Sequence, residues 1–240
     1  MPPSRFPYWR PARSGDGSAA RAGLLKAAVV AVVLLAASAA APAQTEYPPP
    51  GGKGPVVVVI SGQLGPARYD ASARKIADLG YDVTLLDGNA MQGRGPALKA
   101  AILEAQSSAH ARPGKVAVVG FSLGGGVALA FASRWPDLVA TLVAWYPATK
   151  FIHDVPSFAG GIAVPVLMFV GEQDHYENCC LADTAKALAA ASSAAGGRVE
   201  VIAYPGADHD FIFPGRAYDA EASFDSWRRA TARLAQFLNP

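Results

Sequence analysis

The chain has 240 residues, a formal net charge of +2 and a hydrophobic fraction of 51%. This length and composition are typical of one globular domain with a sizeable core, and they exclude intrinsic disorder, which requires low hydrophobicity and high net charge. Residues 1–43 contain five of the 21 basic residues and one of the 19 acidic residues, so 16 basic and 18 acidic residues remain. Because nucleic-acid binding depends on clustered positive charge, we expect no nucleic-acid partner.

The first 43 residues have the pattern of a secretory signal peptide. A basic, Pro-rich stretch ending at Lys26 precedes an apolar run over 27–41, and Ala41-Pro42-Ala43 then supplies the small residues of a cleavage site. The run is shorter than the roughly 20 apolar residues that span a membrane, although an uncleaved anchor is the alternative. We therefore predict that residues 1–43 are a signal peptide and that the mature protein is periplasmic or extracellular, with no stable membrane association.

The remaining chain alternates strands with helices after a Pro- and Gly-rich linker predicted over 44–54. Predicted strands cover 55–60, 81–86, 115–121, 138–146, 164–170 and 198–204. Predicted helices cover 70–79, 96–109, 124–135, 181–195 and 217–238. This alternation predicts an α/β domain over 55–240, with a mostly parallel sheet of six or seven strands and helices on both faces. The segment over 147–163 is too short for a large lid.

A G-x-S-x-G string lies between the third predicted strand and the helix that follows it. It reads Gly120-Phe121-Ser122-Leu123-Gly124, which matches the nucleophile elbow of α/β-hydrolases in both composition and placement. The sharp turn of such an elbow raises the serine hydroxyl above the sheet and directs a helix N-terminus at it. The sequence predicts Ser122 as a nucleophile, and a Gly-rich turn with a surface serine is the alternative.

A serine nucleophile needs a base, and the base needs an acid that orients it. His209 follows the sixth predicted strand, and Asp174 follows the fifth, so both lie at the sheet edge where Ser122 is expected. Their chain order, serine then acid then histidine, is the order of this fold. Glu172 is the alternative acid. Three histidines are less well placed as the base: His110, His153 and His175.

The stabilisation of an oxyanion requires two backbone N–H groups. We predict that Leu123, next to the nucleophile, supplies one and that Gln63, in the loop after the first strand, supplies the other. Aromatic residues near the site are predicted to line an acyl or aryl pocket, with core packing as the alternative: Phe121, Trp145, Tyr146, Tyr176 and Phe211. The sequence contains no metal-binding or nucleotide-binding motif, so we expect no cofactor and no metal.

The two cysteines, Cys179 and Cys180, are adjacent in the chain. Two residues are too few for a disulfide framework. Two buried thiols are the favoured interpretation, since buried cysteine behaves as a small apolar residue. The alternative is a reactive disulfide between neighbours, which would allow redox control of the loop that carries Asp174.

Five segments resemble the dienelactone hydrolase family of α/β-hydrolases. They are VVVVISGQLG at 56–65, LGYDVTLLD at 79–87, VVGFSLGGG at 118–126, FVGEQDHY at 169–176 and YPGADHDF at 204–211. The resemblance spans most of the chain after residue 43. It implies a catalytic triad of Ser122, Asp174 and His209, with oxyanion amides at Gln63 and Leu123.

Three positions depart from the best-known members of that family. Those members carry a cysteine where Ser122 stands, a glutamate where Gly62 stands, and an arginine near the position of Phe213. A serine needs no acid to activate a thiolate, and an aromatic residue in place of an arginine indicates an uncharged substrate. The sequence therefore predicts a secreted serine hydrolase of small esters, lactones or related acyl compounds. A non-catalytic binding module, or an acyltransferase or peptidase with the same triad, are the alternatives.

The predicted signal peptide can be tested by N-terminal sequencing of the exported protein. We expect the sequence to begin at Gln44, because signal peptidase cuts after the Ala-x-Ala pattern that ends at Ala43. Recovery of the exported chain with an intact Met1 would contradict the prediction.

Overall fold

The computed structural model describes residues 44–240, and the predicted signal peptide lies outside the described residues. The strands are β1 (Gln44–Tyr47), β2 (Val56–Ile60), β3 (Asp82–Leu86), β4 (Val116–Phe121), β5 (Val139–Trp145), β6 (Val166–Gly171) and β7 (Val199–Tyr204). The α-helices are α1 (Asp70–Ala77), α2 (Gly88–Met91), α3 (Gly95–Gln106), α4 (Leu123–Ala130), α5 (Val155–Gly160), α6 (Ala182–Ala194) and α7 (Ala220–Leu238).

The seven strands of residues 44–240 form one sheet in the order β1-β3-β2-β4-β5-β6-β7. β1 pairs with β3 in the antiparallel direction, and all other neighbours are parallel. The mostly parallel α/β fold predicted from the sequence is therefore confirmed. The continuous apolar run of β2 is explained by this topology, because every residue of that central strand is buried and parallel sheets are covered on both faces.

The core has one layer on each face of the sheet. Along β2, Val58 and Ile60 pack toward α3, α4 and α6, whereas Val57 and Val59 pack toward α1 and α7. Successive side chains of a strand point to opposite faces, so this one strand contributes to both layers. Complete burial of an aliphatic side chain contributes about 1.5–3 kcal/mol to the free energy of unfolding.

The linker predicted over 44–54 is wrong for its first four residues, which form β1. The Tyr47 hydroxyl lies 2.7 Å from a carboxylate oxygen of Asp70 in α1, and the Arg74 guanidinium lies 5.0 Å from the centre of the Tyr47 ring. Four residues are too few to show a strand periodicity. β1 forms because β3 offers an unpaired edge and α1 offers contacts for Tyr47, and both are tertiary effects.

Two short helices, α2 and α5, have no counterpart among the predicted elements. They contain four and six residues, so neither completes the two turns over which an apolar stripe becomes visible. α5 is the only α-helix between β5 and β6, which agrees with the prediction that no large lid is present. Within residues 44–240, no helix combines the length and the apolar character that crossing a membrane requires.

Candidate active site

The turn between β4 and α4 holds Ser122 in a backbone conformation that few residues adopt. Its φ is 49° and its ψ is −115°, and such strain in a non-glycine residue persists only where surrounding contacts determine it. The Ser122 N–H donates to the Trp145 carbonyl at 3.0 Å, and the Ser122 carbonyl accepts from the Ala148 N–H at 2.9 Å. Neighbouring backbone therefore fixes the turn on both sides of the serine.

Two glycines allow α4 to approach the sheet closely enough for this turn. A Cβ atom on Gly124 would lie 2.2 Å from the Ile60 carbonyl oxygen at the end of β2. A Cβ atom on Gly120 would lie 2.6 Å from the Cα atom of Gly125. The contacted atoms belong to the backbone, so they cannot rotate away. The glycines of the G-x-S-x-G string are therefore required by packing as well as by turn geometry.

The structure brings Ser122, His209 and Asp174 into one hydrogen-bonded chain. His209 Nδ1 lies 2.7 Å from Asp174 Oδ2, and His209 Nε2 lies 3.0 Å from Ser122 Oγ. A carboxylate can only accept, so Nδ1 carries the proton and Nε2 is left to accept the serine hydroxyl proton. The Asp174 side chain has no exposed surface and that of His209 is 11% exposed, so water has little access to compete for these bonds.

The acid and the histidine are each held by a second set of contacts. Asp174 Oδ1 accepts the Tyr176 backbone N–H at 3.1 Å, which occupies the carboxylate oxygen that His209 does not use. The Tyr176 ring stacks on the imidazole with a centroid separation of 4.8 Å and an interplanar angle of 15°. The ring of Tyr146, fully buried and at a positive φ of 36°, packs 4.7 Å from the imidazole. The imidazole is thus packed against two aromatic rings, one stacked on it and one tilted to it by 58°.

The alternatives from sequence lie outside the hydrogen-bonded chain. Glu172 forms an ion pair with Lys186 on α6. His110 Nδ1 lies 2.9 Å from the Gly52 carbonyl oxygen. His175 is exposed at the cavity surface, and its ring forms no hydrogen bond with Ser122 or Asp174.

Ser122 and His209 open into a cavity of about 600 Å³. Its lining is Gln63, Leu64, Arg68, Tyr69, Ser122, Gln173, His175, Tyr176, Asp208, His209, Asp210, Phe213, Pro214, Gly215, Arg216 and Ala217. Two arginines and two aspartates are among these residues, so their formal charges cancel. The wall of the cavity therefore has no net formal charge and does not favour either sign of substrate charge.

One of the five predicted pocket aromatics, Tyr176, lines this cavity. The other four belong to the core, and their prediction as pocket residues is wrong: Phe121, Trp145, Tyr146 and Phe211 are each 0% exposed. Phe121 stacks between Trp145, at 5.1 Å, and Tyr69, at 4.9 Å. The cause is the alternation of side chains along β4 and β5, which directs Phe121 and Trp145 into the layer under α1 and α7.

The 3₁₀ turn Pro66–Tyr69, which follows the loop after β2, supplies two cavity residues that were not predicted from sequence. The Arg68 guanidinium lies 3.7 Å from Asp210 Oδ2 and 4.4 Å from the centre of the Phe213 ring. Tyr69 is 1% exposed, and burial raises the pKa of its phenol well above the usual value. Their position just beyond the loop of Gln63 is the one sequence signal that points to them.

The predicted oxyanion residues both lie near the serine, since Leu123 follows it in the chain and Gln63 lines the same cavity. Leu123 is the first residue of α4. Gln63 lies in the loop after β2, and the Gly62 carbonyl, which shares a peptide group with the Gln63 N–H, accepts from the Gly65 N–H at 3.1 Å. The Asn89 side-chain amide donates to the Gln63 carbonyl at 3.0 Å and holds the next peptide of the loop. Among the described residues, neither the Gln63 nor the Leu123 backbone N–H donates to another protein group. Both donors are therefore available to a bound molecule.

The Gln63 side chain has a separate contact, because its amide nitrogen donates to the Tyr176 hydroxyl. Both residues line the cavity that contains Ser122. This hydrogen bond links the loop after β2 with the loop that carries Asp174. The two walls of the cavity are thereby joined through side chains, while the Gln63 backbone N–H stays unused.

Cys179 and Cys180 form a disulfide in the structure, so the favoured expectation of two thiols is wrong. Adjacent cysteines are compatible with either state, so the sequence alone does not decide between them. Glu177 and Asn178, directly before the pair, both have a positive φ, of 48° and 50°. Cys180 is 1% exposed and Cys179 is half-buried. The disulfide lies at the end of the loop that begins at Asp174.

Several known proteins are similar to this chain in sequence. The chain matches the profile of the dienelactone hydrolase family over residues 86–238. Protein usf of Aquifex pyrophilus is 28% identical over 163 residues, which cover 67% of this chain and 68% of that protein. A relative from Yersinia pestis is 34% identical over 122 residues, which cover 48% of this chain and 44% of that protein.

Two solved structures share the fold. A dienelactone hydrolase-like promiscuous phosphotriesterase from metagenomic libraries has a TM-score of 0.67 and 22% identity, with 82% of this chain and 100% of that chain covered. Esterase 2 of Thermogutta terrifontis, phosphorylated by paraoxon, has a TM-score of 0.63 and 19% identity, with 82% and 90% covered. The fold and site define an α/β-hydrolase. Because the profile covers more than half of the chain, this protein belongs to the dienelactone hydrolase family and is a hydrolase.

Replacement of Gly124 tests whether the elbow depends on close packing. Gly124→Ala places a Cβ atom 2.2 Å from a backbone oxygen, so we expect the free energy of unfolding to fall by about 1–3 kcal/mol, the usual effect of overpacking. Gly51→Ala is the matched control, because nothing lies within 4 Å of its Cβ position, and it should change the free energy by less than about 0.5 kcal/mol. Urea denaturation measures both, and equal midpoints would contradict the packing requirement.

Proposed function

We propose that this chain is a secreted serine hydrolase that cleaves ester, lactone or related acyl bonds through an acyl-enzyme on Ser122. The observation that carries the proposal is the continuous hydrogen bonding from Ser122 through His209 to Asp174 at the wall of a cavity. A serine hydroxyl is a weak nucleophile, and an adjacent base with an oriented tautomer is the arrangement that activates it.

The first half of the reaction forms the acyl-enzyme. Ser122 Oγ attacks the substrate carbonyl carbon while its proton moves to His209 Nε2. Asp174 stabilises the resulting imidazolium through the Nδ1–H bond and stays ionised. The tetrahedral intermediate then expels the alcohol, which takes the proton from Nε2. In the second half, water gives a proton to Nε2 and attacks the acyl carbon, and Ser122 recovers its proton when the acid leaves.

The developing oxyanion is assigned to the backbone N–H groups of Gln63 and Leu123. Two observations support this assignment: neither N–H has a protein acceptor within residues 44–240, and the Gly65 N–H holds the Gly62 carbonyl, whose peptide group carries the Gln63 N–H. Leu123 also begins α4, so the positive end of that helix adds to the stabilisation of negative charge. Donors that are already oriented need no reorganisation during the reaction, which is the source of their effect on the rate.

The substrate is proposed to be a small, uncharged ester or lactone. The cavity of about 600 Å³ is of the size that takes small ligands. The charges of its arginines and aspartates cancel, and Arg68 is engaged with Asp210 and Phe213 rather than free to bind a carboxylate. The esterase and phosphotriesterase names of the structural relatives agree with the hydrolysis of small esters.

Export is proposed on the sequence pattern of residues 1–43. The disulfide between Cys179 and Cys180 supports it, because disulfides persist mainly in oxidising compartments. N-terminal sequencing of the exported protein tests this part of the proposal independently of the chemistry.

Replacement of the nucleophile tests the reaction. Ser122→Ala should reduce kcat for neutral p-nitrophenyl esters by about 10⁴–10⁶-fold, since the members of a triad act as a unit. Ser193→Ala is the matched control, because Ser193 is exposed on α6. Mass spectrometry of protein treated with a fluorophosphonate should locate the adduct on Ser122. No turnover and no adduct in the parent would favour a binding module instead.

Replacement of Gln63 separates the role of its backbone from that of its side chain. Gln63→Ala keeps the N–H group and removes only the bond to Tyr176, so we expect kcat to stay within about tenfold of the parent value, whereas loss of an oxyanion donor costs about 10²–10³-fold. Tyr176→Phe removes the same bond from the other side and should give a similar kcat. If Gln63→Ala alone slowed turnover by as much as the loss of an oxyanion donor, the side chain would be the donor instead.

A further inference from the structure

We propose that Cys179, Cys180 and His209 form a binding site for one thiophilic divalent cation when the disulfide is reduced, and that the bound cation inactivates the hydrolase. The inactivation rests on the proposed function, whereas the binding of the cation does not. The site lies beside the triad and uses the histidine that the reaction needs.

The three side chains already lie together. One ligand atom from each, a ring nitrogen of His209 and the two cysteine sulfurs, lies within 4.8 Å of the others. Reduction lets the sulfurs separate to about 3.5–4 Å, as two zinc–sulfur bonds of about 2.3 Å at a tetrahedral angle require. A movement of about 1 Å then brings the imidazole nitrogen into the same coordination sphere, since metal–nitrogen bonds measure about 2.0–2.1 Å.

The donor set favours soft and borderline cations. Two thiolates and one imidazole are the ligands that zinc and related thiophilic metals prefer, whereas magnesium and calcium require oxygen donors. Three protein ligands leave a fourth tetrahedral position for water. Cadmium is the suitable probe because its thiolate complexes absorb in the ultraviolet, which makes binding visible without any measurement of activity.

The disulfide keeps the two sulfurs bonded to each other, so they cannot bind a cation as thiolates. A dithiol reductant opens the disulfide by supplying two electrons and two protons, so that the sulfur–sulfur bond breaks, two thiols form and the reductant closes its own disulfide. Cys179 is half-buried rather than enclosed, so a small thiol has a route to the bond. Each thiol then releases its proton as the cation binds.

Cation binding disrupts the triad because both nitrogens of His209 are in use. Nδ1 is bonded to Asp174 and Nε2 to Ser122, so a nitrogen that coordinates the cation must leave one of these partners. Either loss removes the base or its orientation. A second effect acts on the loop, since the cysteines end the segment that carries Asp174 and the Tyr176 ring that stacks on the imidazole.

The experiment compares reduced and oxidised protein. Purified protein is treated with dithiothreitol, freed of reductant by anaerobic gel filtration, assayed for thiols and titrated with cadmium. We expect two thiols, one cadmium per chain, and an ultraviolet band that the oxidised protein lacks. Turnover of p-nitrophenyl esters should fall by on the order of 10³-fold or more at saturation, the loss expected when a triad base is removed, and a chelator should restore it.

Two variants make the result specific. Cys179→Ser combined with Cys180→Ser should show no band, and cadmium should leave that variant's own activity unchanged. His209→Ala should retain the band but bind cadmium about tenfold or more weakly, since loss of a group that only orients a ligand already costs about 10–100-fold.

Three outcomes would overturn the proposal: no thiols after reduction, no band in the reduced protein, or an unchanged affinity in His209→Ala. If the parent hydrolyses no ester, the band and the His209→Ala affinity still decide the site. The failure of the proposed function is then seen separately, in the absence of turnover before any cadmium is added.

Discussion

The site depends on how closely the first turn of α4 approaches the ends of β2 and β4. Gly120 and Gly124 bring backbone against backbone there, and the approach forces Ser122 into its positive φ. That conformation presents the serine hydroxyl to His209 and leaves the Leu123 N–H without a protein acceptor among the described residues. The strained backbone of Ser122 costs free energy, which the packing of the buried layers on both faces of the sheet must offset.

The site also depends on a histidine ring that cannot rotate. Asp174 holds one edge of the imidazole, the Tyr176 ring stacks on it, and the Tyr146 ring packs against it at a tilt. These contacts come from two segments of the chain, after β5 and after β6, and the histidine itself follows β7. The loop after β6 supplies two of them, so its conformation affects both the acid and the ring, and the disulfide lies at its end.

Much of the fold could be predicted because the signals were local. The apolar run of β2, the G-x-S-x-G string around Ser122 and the placement of His209 after a strand each lie within about ten residues, and each led to the observed position. The pocket aromatics failed because Phe121 and Trp145 lie at the ends of strands, where side-chain direction changes with every residue and a sequence pattern does not fix which face each one takes. The role of Arg68 depended on three-dimensional contacts that a sequence pattern does not encode, and the two adjacent cysteines are compatible with either a disulfide or two thiols.

The position of β1 has a consequence for the order of events during biogenesis. Cleavage after Ala43 would make Gln44 the first residue of the mature protein, and Gln44 is also the first residue of β1, paired with Leu86. A peptidase must bind the residues around its cut in extended, unpaired form. Under the proposed processing, β1 can therefore complete its pairing with β3 only after the signal peptide has been removed.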